Sequence, residues 1–418
     1  MIREAVLPGG VRLLTETMPH VRSATLGIFA EVGSSEEPPQ RRGISHLLEH
    51  MLFKGTSRRS ARRIAEEMDA VGGNLNAATD KELTVFYAHV MDKHLPVAVD
   101  VLSDMFLNSL LDAEELRKER DVVLEEIKMY DDSPDDVIGD AFTRTLWRGA
   151  NLGDPTIGFA NTVSAIDRDT LAAWHRERYA PGTVMIAAAG NLDHDELAAR
   201  LGEAFGAFGG TAVAPDPERP VFHGAVNITH DDTEQAYVMI GMPGLSMRDE
   251  RRYTLSVLYT ILGGGMSSRL FQEVREERGL AYEVSSFQQS YRSAGLFGVS
   301  AGTSPDRAQE CVDVIVDQID QLVERGVTEA EVKRAREHLK GNMTLALEST
   351  SSRMSRLARN AIVHGRQITA EEVEARFDAV EVSDVNLLAR ELFAVERGLC
   401  VLGPLASDAV RLRKPHAV

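Results

Sequence analysis

Two histidines and a glutamate lie within the five-residue stretch 46–50, which reads His-Leu-Leu-Glu-His. If this stretch is helical, His46 and His50 project from one face, one turn apart, where their imidazoles can bind one zinc ion. Glu49 points towards the same side, and a carboxylate beside such a metal suits a general base for peptide-bond hydrolysis. The spacing H-x-x-E-H is the inverted counterpart of the commoner H-E-x-x-H zinc-protease motif. The alternative is a pair of hydrogen-bonded histidines, since the flanking residues make the helix apolar nearly all round.

The elements around this stretch must hold it in place. An alternating apolar run at 24–32 predicts a strand, and a polar loop at 33–42 leads from it into the histidine helix. Ser60 is the predicted N-cap of a second helix, which Gly72 and Gly73 end. A hairpin at 6–14, strands at 82–90 and 183–190, and helices at 96–107, from 112 onwards, 134–147, 169–178 and 195–205 complete the predicted first half.

The same pattern starts again after residues 211–220, which contain three prolines and form the predicted linker. The strand 236–242 repeats the strand 24–32, and the apolar helix 252–262 repeats the histidine helix but contains no histidine. At an offset of 216 residues (342 − 126), Glu126 is matched by Asn342. The candidate metal-binding residues thus occur in one half only. This asymmetry favours a catalytic role for the histidines over a role in core packing.

These patterns predict an α+β fold of two homologous α/β halves, each a mainly antiparallel sheet covered by helices. The predicted domains are a metal-bearing catalytic domain at 1–210, the linker at 211–220 and a degenerate repeat domain at 221–418.

Composition narrows the function classes. The chain has 418 residues and a net charge of −18, which argues against nucleic acid or an anionic membrane as a partner. That charge suits a basic substrate, and it equally suits plain solubility. No apolar run approaches membrane length, so we expect no transmembrane helix. The two cysteines, Cys311 and Cys400, form no disulfide framework, and the first residues show no signal or transit character, which favours a reducing cytoplasm.

Glu126 follows His50 after 76 positions (126 − 50), at the end of the run 119–126, Glu-Arg-Asp-Val-Val-Leu-Glu-Glu. Together with the H-x-x-E-H stretch, this resembles the M16 family of zinc metallopeptidases, the inverzincins. The size resembles the branch of short separate subunits, which includes the mitochondrial processing peptidase β subunit and bacterial processing-peptidase-like proteins. The resemblance implies a LuxS/MPP-like fold and metalloendopeptidase activity.

By this resemblance, the metal ligands are His46, His50 and Glu126, and one Zn²⁺ is expected per chain. Two nitrogens and one carboxylate leave a fourth zinc position open, as catalytic zinc requires. Glu125 is the competing third ligand, although the spacing favours Glu126. Glu119 lies seven residues earlier on the same helix face, and the resemblance gives it a supporting role near the metal. Its alternative is one more exposed acid on a charged helix.

The run 73–79, Gly-Asn-Leu-Asn-Ala-Ala-Thr, resembles the family's segment leading into the strand that binds the substrate backbone. Exposed strand edges bind extended peptides through main-chain hydrogen bonds. We therefore expect Asn74, Asn76, Ala77 and Thr79 to contact substrate. The alternative is an ordinary Gly/Asn turn.

In the second half, the glycine run 263–265 leads to Arg275 and Tyr282. This resembles the family's glycine-rich loop and Arg/Tyr pair, which could donate hydrogen bonds to the substrate carbonyl or to the developing oxyanion. A phosphate-binding loop is rejected because no Gly-Lys-Ser/Thr follows. In the family the pair approaches zinc from the opposing half of a clamshell, so we expect a homodimer in which Arg275 and Tyr282 reach the partner's zinc.

The leading hypothesis is a zinc endopeptidase acting on short or unfolded peptides inside a dimeric chamber, with Glu49, Glu119, Arg275 and Tyr282 in the catalytic machinery. One alternative is a single subunit of a hetero-oligomeric processing peptidase. Another is a non-catalytic scaffold, since some relatives are core subunits of a respiratory complex. The expected partner is a peptide, without nucleic acid or membrane. The expected location is the bacterial cytoplasm, or the mitochondrial matrix for a mature organellar form.

Overall fold

The computed structural model describes residues 1–214 and 216–414. Pro215, in the predicted linker, and residues 415–418, at the end of the predicted second domain, lie outside the described residues.

The described residues contain strands and helices throughout. The strands are β1 (Ile2–Val6), β2 (Arg12–Thr17), β3 (Ser23–Ala30), β4 (Asn74–Thr79), β5 (Thr84–Met91), β6 (Val184–Gly190), β7 (Val226–His230), β8 (Ala236–Pro243), β9 (Ala281–Ser290), β10 (Gly295–Thr303) and β11 (Gly398–Gly403). The α-helices are α1 (Ile44–Leu52), α2 (Ala61–Ala70), α3 (Leu95–Asn108), α4 (Ala113–Asp131), α5 (Pro134–Leu146), α6 (Ala160–Ala165), α7 (Arg168–Arg178), α8 (His194–Phe205), α9 (Arg252–Gly263), α10 (Ala308–Arg325), α11 (Glu329–Ala346), α12 (Thr350–His364), α13 (Ala370–Asp378) and α14 (Val382–Phe393).

The chain forms two compact units whose boundaries differ from the predicted domains. The first unit consists of Met1–Lys128, Pro155–Pro217 and Leu345–Gln367, and the second consists of Met129–Asp154, Glu218–Thr344 and Ile368–Val418. Each half of the sequence therefore contributes a helical segment to the unit built mainly by the other half. An apolar stripe shows that a helix covers a sheet but not which sheet, so the sequence carries no signal for this exchange.

The first unit is built on a sheet with the strand order β1-β2-β6-β3-β5-β4. Its neighbouring strands are antiparallel except for β2 and β6. One face packs against α1, α3 and α8, and the other face packs against the exchanged helix α12. Gly27 in β3 makes room for α12, because a Cβ there would lie 2.6 Å from the sulfur of Met354. Both faces of the sheet are thus buried.

The second unit repeats this architecture with the strand order β7-β11-β8-β10-β9. Helices α9, α10 and α14 cover one face, and the exchanged helix α5 covers the other. Gly241 in β8 has the same task as Gly27, because a Cβ there would lie 2.3 Å from Leu146 of α5. When β1 is set aside, the two sheets have the same order.

This common order confirms the predicted internal repeat and the α+β class. In each unit the equivalent elements occur in the same sequence: β3 with β8, α1 with α9, β5 with β10, α3 with α10, α4 with α11 and β6 with β11. Helices α12 to α14 are not among the predicted elements. Each helix of the described residues is too short or too polar to cross a lipid bilayer.

His175 on α7 packs against core residues of the first unit. Its ring contacts those of Phe106 and Tyr179, and its Nε2 is buried without a hydrogen-bond partner among the described residues. Burial, helped by the nearby charge of Arg176, lowers the pKa of His175 to about 4. The neutral ring therefore stabilises the fold fully above the ordinary histidine pKa of about 6.5, and this contribution is lost as the pH falls from there towards 4.

We expect the variant His175→Phe to remove this acid sensitivity while keeping the aromatic packing. From pH 7 to pH 5 the wild-type chain should lose up to about 2 kcal/mol more of its free energy of unfolding than the variant does. Urea unfolding of zinc-free protein at both pH values measures this difference. An equal loss in both chains would contradict the assignment, because other histidines are common to both.

Candidate metal centre

Helix α1 presents the predicted motif on one side. Its residues Ile44, Leu47, Leu48, Met51 and Leu52 are buried in the core of the first unit. His46, Glu49 and His50 are each partly exposed. The imidazole rings of His46 and His50 lie 4.6 Å apart between centroids. Core packing on the other sides of the helix thus fixes the direction in which the three polar side chains project.

Helix α4 brings a carboxylate to these rings. Oε2 of Glu126 lies 3.9 Å from Nε2 of His46 and 3.7 Å from Nε2 of His50. Each of the three residues offers one ligand atom, and these atoms all lie within 4.8 Å of one another. Among the His, Cys, Asp and Glu side chains of the described residues, these three are close enough together to bind one metal ion. The structure therefore brings together the three predicted ligands.

The donor set fits zinc. Bonds of about 2.0–2.2 Å from zinc to nitrogen and oxygen place tetrahedral donors about 3.4 Å apart. The two observed distances to Glu126 need only a small adjustment to reach that separation. Two imidazole nitrogens and one carboxylate oxygen also form a set that leaves one zinc position open.

The competing candidate Glu125 has a different environment. Its side chain is 71% exposed and binds Lys128 on the same helix, with 2.7 Å between Oε1 and Nζ. Neighbouring helix positions point about 100° apart, so Glu125 cannot share the face that Glu126 presents to the histidines.

Glu119 lies beneath the histidines and is nearly buried. Its Oε2 is 3.2 Å from Nδ1 of His50, and its Oε1 is 2.6 Å from Nζ of Lys54. A histidine that ligates a metal through Nε2 carries its proton on Nδ1, so this geometry suits donation from His50 to Glu119. Lys54 was not among the predicted site residues. It lies two residues beyond the end of α1 at Leu52, so the periodicity of the helix gives no signal for its position.

The two histidines have different surroundings. Nδ1 of His46 is buried and has no hydrogen-bond partner among the described residues. Burial, and secondarily the charge of His50, lowers the pKa of His46 to about 4. His46 is therefore neutral at physiological pH, which is the state that can bind a metal.

Glu49 is held by a threonine on the edge strand. Oγ1 of Thr79, the last residue of β4, donates a hydrogen bond of 2.6 Å to Oε2 of Glu49. Burial raises the pKa of Glu49 above its ordinary value, and the bond from Thr79 opposes that rise. A carboxylate whose pKa is raised towards neutrality is a more effective general base.

We expect Thr79→Val to lower kcat about tenfold, because one hydrogen bond to a charged group contributes about 1.5 kcal/mol or more. The valine keeps the shape of the strand but leaves Glu49 free to rotate. The matched control is Thr79→Ser, which keeps the hydroxyl and should retain most activity. If both variants behave alike in steady-state kinetics, the hydroxyl does not orient Glu49.

The predicted substrate segment is the edge strand itself. β4 pairs with β5 on one side, and no other described strand pairs with it. The side chains of Asn74 and Asn76 are exposed, while Ala77 and Thr79 face the sheet's partly buried side. Oδ1 of Asn76 accepts a hydrogen bond from the backbone nitrogen of Ala77. Among the described strands, the outer backbone edge of β4 is therefore unpaired, which is the condition for strand addition.

Arg275 and Tyr282 lie together in the second unit. Arg275 belongs to a π-helical segment, Phe271–Glu277, and Tyr282 is the second residue of the edge strand β9. The guanidinium carbon of Arg275 lies 4.6 Å from the ring centroid of Tyr282 and 4.8 Å from that of Phe271. The side chain of Tyr282 is strongly exposed, at 81%. The structure therefore forms the predicted pair as a stacked, solvent-facing unit.

A fold of two repeated sheets with an inverted H-x-x-E-H helix defines the class of inverzincin-like proteins. Comparison with known proteins identifies the family. Residues 12–159 match the family model described as insulinase (peptidase family M16), and residues 165–339 match the one described as peptidase M16 inactive domain. An uncharacterized zinc protease of Streptomyces coelicolor is 44% identical over 412 residues, which cover 97% of this chain and 90% of that protein. The chain belongs to peptidase family M16.

Solved structures share the fold at lower identity. A peptidase M16 inactive domain from Pseudomonas fluorescens superposes with a TM-score of 0.91 at 20% identity, covering 99% of each chain. A chain of complex III from Candida albicans gives a TM-score of 0.84 at 21% identity, covering 98% of each chain. One of these structures is an inactive domain and the other is a chain of complex III. The fold alone therefore does not decide activity, which depends on the residues at the metal site.

Proposed function

We propose that this chain is a zinc-dependent endopeptidase that hydrolyses short or unfolded peptides. The observation that carries the proposal is the convergence of His46, His50 and Glu126 beside Glu49, which is held by the strand that would bind the substrate. The names of the curated relatives, zinc proteases, support zinc as the metal. We propose one Zn²⁺ per chain.

The residues divide the chemistry between them. His46, His50 and Glu126 would hold the zinc, which when bound supplies a Lewis acid that activates water and polarises the scissile carbonyl. Glu49 accepts a proton from the attacking water and passes it to the departing amine. Thr79 fixes the direction of the Glu49 carboxylate. Glu119 orients His50 through Nδ1 and forms an ion pair with Lys54.

The substrate would bind as an added strand along β4. Main-chain hydrogen bonds to a free strand edge make little demand on sequence, which suits extended peptides of varied composition. Because Thr79 ends β4 and binds Glu49, a peptide on this edge would place a backbone carbonyl near the general base.

We further propose a homodimer in which Arg275 and Tyr282 complete the partner's site. A guanidinium and a phenol can both donate hydrogen bonds to a developing oxyanion, and the strong exposure of Tyr282 leaves it accessible to a second chain. A mixture of Glu49→Gln and Tyr282→Phe chains should then regain activity that neither variant has alone. A fully active monomer in light scattering would exclude this arrangement.

The test of the whole proposal is a peptide library incubated with the purified chain, with and without a chelator. We expect cleavage at internal bonds that stops with chelator and returns with added zinc. Cleavage insensitive to chelator, or none at all, would end the proposal.

The hetero-oligomeric and scaffold hypotheses make different demands on the chain. A subunit that needs an unlike partner would lack activity when purified alone. A scaffold has no need for the metal-binding residues, whereas this chain keeps all three together with Glu49.

We propose the bacterial cytoplasm as the location, in line with bacterial relatives such as that of Streptomyces coelicolor.

A further inference from the structure

A fully buried carboxylate lies at the start of the metal-ligand helix. Glu37 has no exposed surface, and its two oxygens accept hydrogen bonds from the backbone nitrogens of Gly43 and Ser45, each at 2.7 Å. Ser45 directly precedes His46. Two short bonds from one carboxylate to the first turn of α1 fix both the position and the rotation of that turn.

The segment 33–37 ends at Glu37, and its beginning is hydrogen-bonded to the turn that follows β4. The backbone nitrogens of Ser34 and Ser35 donate to the carbonyl oxygens of Asp80 and Lys81, at 3.2 and 2.8 Å. These residues directly follow Thr79, the last residue of β4. Gly33 is required here, because a Cβ would lie 2.2 Å from the carbonyl oxygen of Asp80. The segment 33–37 is therefore a bracket with one end at β4 and the other at α1.

The helix start has little freedom to move around this bracket. Gly43 adopts the left-handed region with φ 90°, and a Cβ there would lie 2.4 Å from the carbonyl oxygen of Ile157. The side chain of Arg42 donates to the backbone oxygen of Glu37. Oγ1 of Thr162 donates to the backbone oxygen of Arg42 at 2.7 Å. The turn between Glu37 and α1 is thus held on several sides.

The charge state of Glu37 follows from these surroundings. Burial raises its pKa to about 7, and the backbone hydrogen bonds and the charge of Arg42 oppose the rise. The buried hydroxyl of Tyr179 also lies close enough for the two groups to interact. Because burial favours the neutral form of this carboxyl, the loss of its charge in a neutral isostere costs the fold less than it would at an exposed ion pair.

We propose that Glu37 is a positioning residue that holds the metal-ligand helix α1 in register with the edge strand β4. The part of this inference that concerns substrate rests on the proposed peptidase function, whereas the part that concerns metal binding does not. Glu37 touches neither metal nor peptide and acts only through α1.

The variant Glu37→Gln tests this role. A glutamine accepts one of the two hydrogen bonds but turns an amide donor towards the other backbone N–H, which loosens the first turn of α1. Loss of a partner that orients metal ligands typically costs about 10-fold or more in metal affinity or activity. We expect zinc affinity, measured by competition with a chromogenic chelator, to weaken by about 10-fold. We expect kcat to fall by a similar factor with KM little changed, because the edge of β4 itself is intact.

The matched control is Asp193→Asn, which makes the same carboxylate-to-amide change at the N-cap of α8 in the same unit. Asp193 accepts a hydrogen bond of 2.8 Å from the backbone nitrogen of Glu196. This variant should lose some thermal stability but keep wild-type zinc affinity and kcat. Equal effects of both variants on zinc affinity, or no effect of Glu37→Gln, would overturn the proposal.

A second variant, and zinc binding measured apart from peptide cleavage, keep the test decisive. If Glu37→Gln does not fold, Glu37→Asp keeps the charge on a side chain one methylene shorter, which cannot reach both backbone nitrogens, and it must weaken zinc binding. If Glu37→Asp binds zinc as wild type does, the proposal fails. If the wild-type chain binds zinc but cleaves no peptide, the proposed function fails while the zinc comparison still decides the role of Glu37.

Discussion

Replacing Glu49 by glutamine lowers kcat by about 10²–10⁴-fold, the range that general acid–base catalysis contributes. Glutamine keeps the length of the side chain and can still accept the hydrogen bond from Thr79. It cannot accept a proton from water. The loss should therefore appear in kcat, with the metal still bound.

Steady-state kinetics and metal analysis of the same Glu49→Gln preparation measure the two parts of this result. Zinc content equal to that of the wild type shows that the fold and the ligands are intact. A Glu49→Gln chain that turns over peptides at the wild-type rate would remove Glu49 from the mechanism.

Replacing Glu126 by glutamine should weaken zinc binding at least about 100-fold, the upper end of what even an outer partner of a metal site contributes. The amide cannot supply the negative charge that offsets the divalent ion, and the two histidines would then be the remaining protein ligands. Activity should fall with metal occupancy and recover in part at high zinc concentration.

The neighbouring Glu125 supplies the matched control for this experiment. Glu125→Gln makes the same chemical change one residue away, on a side chain that binds Lys128 at the surface. It should keep wild-type zinc affinity. Weak zinc binding by the Glu125 variant, together with normal binding by the Glu126 variant, would reverse the choice of third ligand.

Local spacing was enough to predict the histidine helix and the repeat of the two sheets. The period of the apolar residues in α1 and the four-residue separation of His46 and His50 are properties of a single helix. The convergence of Glu126 with these histidines depends on how α4 packs, which the sequence indicated only through the family resemblance. The spacing favoured Glu126, but Glu125 remained a competing third ligand until the packing of α4 was known.

Other parts of the site could not be predicted because they depend on contacts between distant segments. The bond from Thr79 to Glu49 joins residues 30 positions apart, and Thr79 was expected to contact substrate only. Glu37 lies in a polar loop that looks ordinary in sequence, and its burial follows from the turn that ends at Gly43. The position of α12 could not be predicted either. Its apolar residues do not reveal that they cover the face of the first sheet that carries Leu14, Phe29 and Met185.

The exchange of α12 has a consequence for synthesis on the ribosome. The strands and most helices of the first unit emerge early, but the helix that covers one face of its sheet ends only at His364. Until then, the apolar side chains of Phe29 and Met185 lack their native cover. The first unit can therefore complete its native packing only after most of the chain has been translated.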